Sequence, residues 1–164
     1  MKGPFRADHV GSLLRPEALL EKREEWKVDK ISDADLREYE NECIASIVKQ
    51  EEKAGIKSVT DGEYRRESFH FDFINQISGI ETNFTLKSAF AQGEKTKAGG
   101  EKAVPLTVEI TDRMTLPAEG IGVENYKYLA SIAGEGTTPK VTMPSPTMTH
   151  FRGGRDAISL EAYP

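Results

Sequence analysis

Four short apolar or β-branched runs, separated by helical sequence and each emptying into a polar turn, constrain this chain more than any other feature. The turns are His9-Val10-Gly11-Ser12, Thr60-Asp61-Gly62-Glu63, Ile110-Thr111-Asp112-Arg113 and Met143-Pro144-Ser145-Pro146-Thr147. Parallel strands joined by helical crossovers bring all such ends to one rim, where α/β barrels carry their chemistry. The pattern predicts an α/β fold whose functional residues gather on one face.

The elements follow from local signals. Phe5 to Val10 reads as a first strand, ended by Gly11-Ser12, where the backbone can approach a ligand closely. Pro16 suits the start of a helix through about Trp26. Ser32 and Asp35 form a capping-box pattern ahead of a long helix in which Leu36, Tyr39, Cys43, Ile44 and Ile47 keep a 3.6-residue period. Gly55 stops that helix, and Ile56 to Thr60 enters a second strand. Phe69, Phe73, Ile74 and Ile77 predict an aromatic helix. A polar, glycine-dotted excursion follows from Gly79 to Lys102, and Phe84–Phe90 could pair with Ala103–Ile110 as an antiparallel arm, spanning about 79–104. Val104–Ile110 is the third predicted strand, Val123–Ala133 a helix, and Lys140–Met143 the fourth strand.

The densest chemistry lies in Lys57–Phe73, KSVTDGEYRRESFHFDF. Just past a strand end sit Glu63, Arg65, Arg66 and Glu67, which together offer an acceptor for an ammonium and forked donors for a carboxylate. The same residues would serve equally as a solvated, helix-capping loop. Cys43 falls on the apolar helix stripe and reads as a small core residue rather than a nucleophile.

Composition closes off other classes. The net charge of -5, with no basic stripe interleaved with aromatics, argues against a nucleic-acid partner. No apolar run is long enough to cross a bilayer and the N-terminus lacks an apolar secretion core, so a cytoplasmic protein without membrane attachment is expected. A single cysteine permits no internal disulfide and no thiolate-rich metal site.

The run Ala7-Asp8-His9-Val10-Gly11-Ser12-Leu13-Leu14-Arg15-Pro16, followed by Thr60-Asp61-Gly62-Glu63-Tyr64-Arg65-Arg66, resembles the cobalamin-independent methionine synthase family. VPLTVEITDRMTLP and NYKYLASIAG with KVTMPSPTMTHF resemble that family's third strand and its fourth helix-strand unit. The likeness extends over essentially the whole chain and is closest to the short single-barrel members.

The resemblance implies a (β/α)8 TIM-type barrel, of which residues 1–164 would supply about the first four strand-helix units as one partial, N-terminal domain. It implies transfer of a methyl group from 5-methyltetrahydrofolate to homocysteine, giving methionine. Homocysteine would be held by Val10, Gly11, Ser12 and Glu63, with His9, Arg15 and Asp112 as further candidate contacts. The implied cofactor is zinc, which makes a thiolate of the substrate sulfur at neutral pH. His9, His70 and His150 are not spaced as the family's ligands, so the ligands are expected beyond Pro164, and neither a metal site nor complete catalytic machinery is expected within these residues. Half a barrel would expose sheet edges, which predicts self-association and no methyl transfer by the chain alone. Two alternatives stay open: a metal-free amino-acid-binding module, and a thiol methyltransferase using another donor.

Overall fold

A computed structural model describes residues 7–83, 107–151 and 153–164. The fold is α/β, and the chain divides into two compact units: Met1–Arg66 with Gly122–Thr142, and Glu67–Ile121 with Met143–Pro164.

In the first unit, α1 (Glu17–Lys27) and α2 (Asp33–Lys53) pack together. Helix α2 starts where the sequence says it should. The Ser32 hydroxyl accepts the Asp35 N–H at 3.2 Å and the Asp35 carboxylate accepts the Ser32 N–H at 2.9 Å. This reciprocal box satisfies two donors that a helix start otherwise leaves open. At the other end the Gly55 N–H reaches the Glu52 carbonyl and the Ile56 N–H the Glu51 carbonyl, the paired bonds that close a helix before a turn. Strand β1 (Ser58–Val59) then pairs in parallel with a later strand, Thr138–Pro139, after helix Val123–Ile132. Lys140 N–H donates to the Val59 carbonyl, so the pairing continues past the strand itself. Leu19, Ile44, Val48, Val59, Tyr64 and Leu129 form the core, with Leu13, Cys43, Tyr128 and Val141 packed against it. Each large aliphatic there contributes about 1.5–3 kcal/mol by leaving water.

The second unit holds an antiparallel pair, β2 (Ser78–Thr82) with β3 (Val108–Thr115), matched Ile80 to Ile110 and Thr82 to Val108. The strand Thr138–Pro139 of the first unit is accordingly β4, and Val123–Ile132 is α4, since α3 is the short Phe71–Ile74. Phe71, Ile74 and Val108 make the core of this unit, with Ile80 and Met148 against it. Ile158 bridges to Ile110 beyond a 3-10 turn over Gly154–Ala157.

Several expectations need correction. Residues 7–10 are not a strand, and Phe5 lies outside the described residues. The aromatic helix shrinks to Phe71–Ile74, with Phe71 and Ile74 buried and Phe69 exposed. The cause is Asp72, whose carboxylate turns back to accept the N–H groups of Glu67 and Ser68, holding those residues in a turn. The third predicted strand runs antiparallel to β2 rather than parallel, and extends to Thr115. Of the arm proposed to pair Phe84–Phe90 with Ala103–Ile110, residues 84–106 fall outside the described residues, and β3 pairs with Ser78–Thr82.

Candidate functional site

The first and second polar turns meet within the first unit. Leu13 donates its N–H to the Gly62 carbonyl at 3.0 Å, Arg15 donates to the carbonyls of Glu63 and Arg66 at 2.9 and 2.6 Å, and Tyr64 Oη donates to the Leu14 carbonyl at 2.9 Å. The backbone at both turns is left-handed: φ is 90° at Gly11 and 63° at Gly62. At position 62 a Cβ would stand 3.0 Å from the Tyr64 ring. Glu63 shares that conformation at φ 57°, although it bears a side chain. Such a residue costs about 1 kcal/mol and persists where its surroundings over-determine it. Here the surroundings include Asp61, whose carboxylate accepts the Glu63 N–H at 2.9 Å.

Buried charge holds the loop in place. Arg23 donates to the carbonyls of Tyr64 and Arg66, so the carbonyls of residues 63, 64 and 66 all face guanidinium groups. Glu40 holds Arg23 at 3.2 Å and Arg65 at 3.0 Å, with all three side chains nearly excluded from solvent. Arg65 also donates to Asn41 at 2.6 Å and lies 5.3 Å from the centre of the Tyr128 ring. Burial, then the like charge of Arg37, pulls the Arg65 pKa down, and Glu40 opposes both. From beneath, Glu51 accepts the Thr60 N–H at 2.9 Å and its hydroxyl at 3.2 Å, while Thr60 Oγ1 accepts the Gly62 N–H at 3.1 Å. Burial pushes the Glu51 carboxyl up, and the Thr60 bonds pull against it.

The segment after β4 completes the site. Lys140 Nζ grips Asp8 at 2.5 Å and the His9 carbonyl, and holds the Asp8 carboxyl below its ordinary range. Thr142 donates its hydroxyl to Glu63 Oε1 at 2.9 Å. The Glu63 Oε2 takes no bond among the described residues, nor do the N–H groups of Val10, Gly11 and Ser12. The arrangement thus offers three consecutive backbone donors and a braced carboxylate oxygen on neighbouring loops.

The predicted residues divide accordingly. The turn bearing Gly11 and Ser12 is joined to the loop bearing Glu63 through the Leu13 and Arg15 bonds above, and Val10 is exposed. His9 Nε2 lies 2.8 Å from the Gly11 carbonyl. A carbonyl only accepts, so Nε2 carries the proton of that bond and His9 buttresses the turn. Arg15 spends its guanidinium on loop carbonyls. Asp112 stands exposed within β3 rather than at a strand end, in the second unit. His70 is buried beside Ser68, and His150 follows the 3-10 turn Pro146–Thr149; both belong to the second unit. Cys43 packs on the core as expected, and burial raises its thiol pKa. Sequence reading missed Arg23, Glu40, Glu51, Lys140 and Thr142.

Among the described residues, no three His, Cys, Asp or Glu side chains cluster so as to hold a metal ion. The implied zinc finds no donor set among these residues. Nor is any helix of the described residues long and apolar enough to cross a membrane.

Fold and site define an α/β protein whose polar loops are gathered around one carboxylate. No family model matches the chain. The chain is 41% identical over 152 residues to the uncharacterized protein YxjG of Bacillus subtilis, covering 93% of this chain and 38% of that one. A methionine synthase of Saccharolobus islandicus is 38% identical over 72 residues, 44% of this chain and 22% of the other. A solved Listeria monocytogenes structure, described as a candidate vitamin-B12-independent methionine synthase, superposes with a TM-score of 0.71 at 32% identity, over 97% of this chain and 41% of that one. The B12-independent methionine synthase of Shewanella, 17% identical with a TM-score of 0.52, shares the fold alone. These relatives bear out the resemblance to the cobalamin-independent methionine synthase family, and the chain spans about two fifths of the length of YxjG and of the Listeria protein.

Proposed function

We propose that this chain forms the amino-acid-binding portion of a methionine-synthase-like methyltransferase, with homocysteine as the bound substrate and 5-methyltetrahydrofolate as the methyl donor of the parent enzyme. The observation that carries the reading is the bond from Leu13 N–H to the Gly62 carbonyl at 3.0 Å, which seats the Gly11-Ser12 turn against the loop bearing Glu63. In this reading the N–H groups of residues 10–12 receive the substrate carboxylate, and Glu63 Oε2 accepts its α-ammonium. The parallel β1–β4 pair with its helices is read as part of a (β/α)8 barrel completed in the longer relatives. Zinc would supply the thiolate from donors outside the described residues, and the enzyme would act in the cytoplasm.

Calorimetric titration of the purified chain with L-homocysteine tests the reading. Glu63→Gln should weaken binding by about 1–3 kcal/mol, because a charged acceptor is lost opposite an ammonium. Equal affinity in the two proteins would remove Glu63 from the site.

A further inference from the structure

We infer that Thr142 is a positioning residue, one that points Glu63 at an amino acid's ammonium group; this rests on the reading above. The Thr142 hydroxyl has a single proton, and Arg66 Nη1, 3.2 Å away, can only donate to it. That proton therefore goes to Glu63 Oε1 at 2.9 Å. Arg66 Nη2 also donates to the Thr142 carbonyl, fixing the backbone there, and its Nη1 lies 3.7 Å from the same Oε1. Both partners thus address one carboxylate oxygen. The other keeps both of its lone pairs for a ligand.

The chain just past β4 explains why Thr142 stands there. Lys140 N–H donates to the Val59 carbonyl, which carries the segment on alongside β1 beyond Pro139, and Val141 packs on the core. Lys140 reaches the Asp8-His9 end of the first turn, and Thr142 reaches the glutamate of the second. One short segment sets both halves of the site.

The test compares Thr142→Val and Thr142→Ser in the full chain, titrated with L-homocysteine and with 4-mercaptobutanoate, which lacks the α-amino group. Thr142→Val should weaken homocysteine binding about tenfold, the loss of roughly one hydrogen bond to a charged group, and leave the deaminated analogue unchanged. Thr142→Ser should keep affinity within about twofold, since it keeps the hydroxyl. Where Thr142→Val does not fold, Thr142→Ala makes the same comparison. Equal losses for both ligands, or an unchanged homocysteine affinity in Thr142→Val while Glu63→Gln weakens it, overturns the inference and leaves the reading standing. If the wild-type chain binds no homocysteine, or Glu63→Gln has no effect, the functional reading fails. Carbon-13 relaxation of the Glu63 side chain then decides the role of Thr142: order lost in Thr142→Val and kept in Thr142→Ser supports positioning, and unchanged order refutes it.

Discussion

The loop Thr60–Arg66 and the β2–β3 pair satisfy their backbone by opposite means. In the loop, side chains do most of it: Arg15 and Arg23 take carbonyls, while Glu51, Thr60 and Asp61 take N–H groups, beside backbone bonds from the N–H groups of Leu13, Tyr64 and Arg66. In the strand pair, backbone meets backbone, and β3 buries only Val108 and Ile110. A ladder tolerates almost any side chain facing solvent but dictates an extended conformation. A side-chain clamp can impose a left-handed glutamate, at the cost of taking charges out of water. The loop should therefore be brittle to mutation where the strand pair is forgiving.

The largest break expected is Glu40→Ala, which leaves Arg23 and Arg65 buried without their carboxylate. Removing one partner from such a group destabilises by about 3–5 kcal/mol, to be read as a lower urea midpoint. Hydrogen exchange should quicken at residues 60–66 and not in β2 or β3. Next comes Ser32→Ala at the start of α2, expected to cost about 1 kcal/mol in the same urea titration.

Acid should disturb that cap too. The Ser32 hydroxyl, then its N–H, lowers the Asp35 pKa, so the cap's contribution is present above the ordinary carboxylate range and is lost as pH falls through the lowered value. Glu51 runs the other way, its pKa raised by burial. Its contribution is intact below the ordinary range and fades as pH climbs through the raised value. Urea midpoints followed across pH should lose that falling limb in Glu51→Gln. The smallest effect, opposite in sign, belongs to the ladder. Glu81 and Glu109 stand directly opposite each other, and like charges so placed repel. Glu109→Lys should raise the stability of the pair by about 0.2–1 kcal/mol, a small upward shift in melting temperature. A loss as large as that of Glu40→Ala would erase the contrast between the two regions.

What was legible in the sequence was local. The capping box at Ser32, the stop at Gly55 and the periodicity through Ile44 concern neighbours along the chain, and the helices stand where these signals put them. Strand partners depend on residues far away, so Val104–Ile110 carried two readings, a parallel barrel strand and one side of an antiparallel arm, and only the fold supplies Ser78–Thr82 as its antiparallel partner. The meeting of the Gly11 and Glu63 turns was legible through the resemblance. Its bracing was not, because Glu40 and Glu51 look like ordinary charged helix positions until the fold buries them. Thr142 left no such trace, since β4 ends at Pro139 and the residue lies in irregular chain beyond it.

The central claim is that the two turns form one amino-acid site, and amide NMR of the chain during L-homocysteine addition tests it most directly. The account predicts saturable shifts concentrated at Gly11, Ser12 and Glu63, with β2 and β3 silent. Shifts confined to the second unit, or none at saturating ligand, would contradict it.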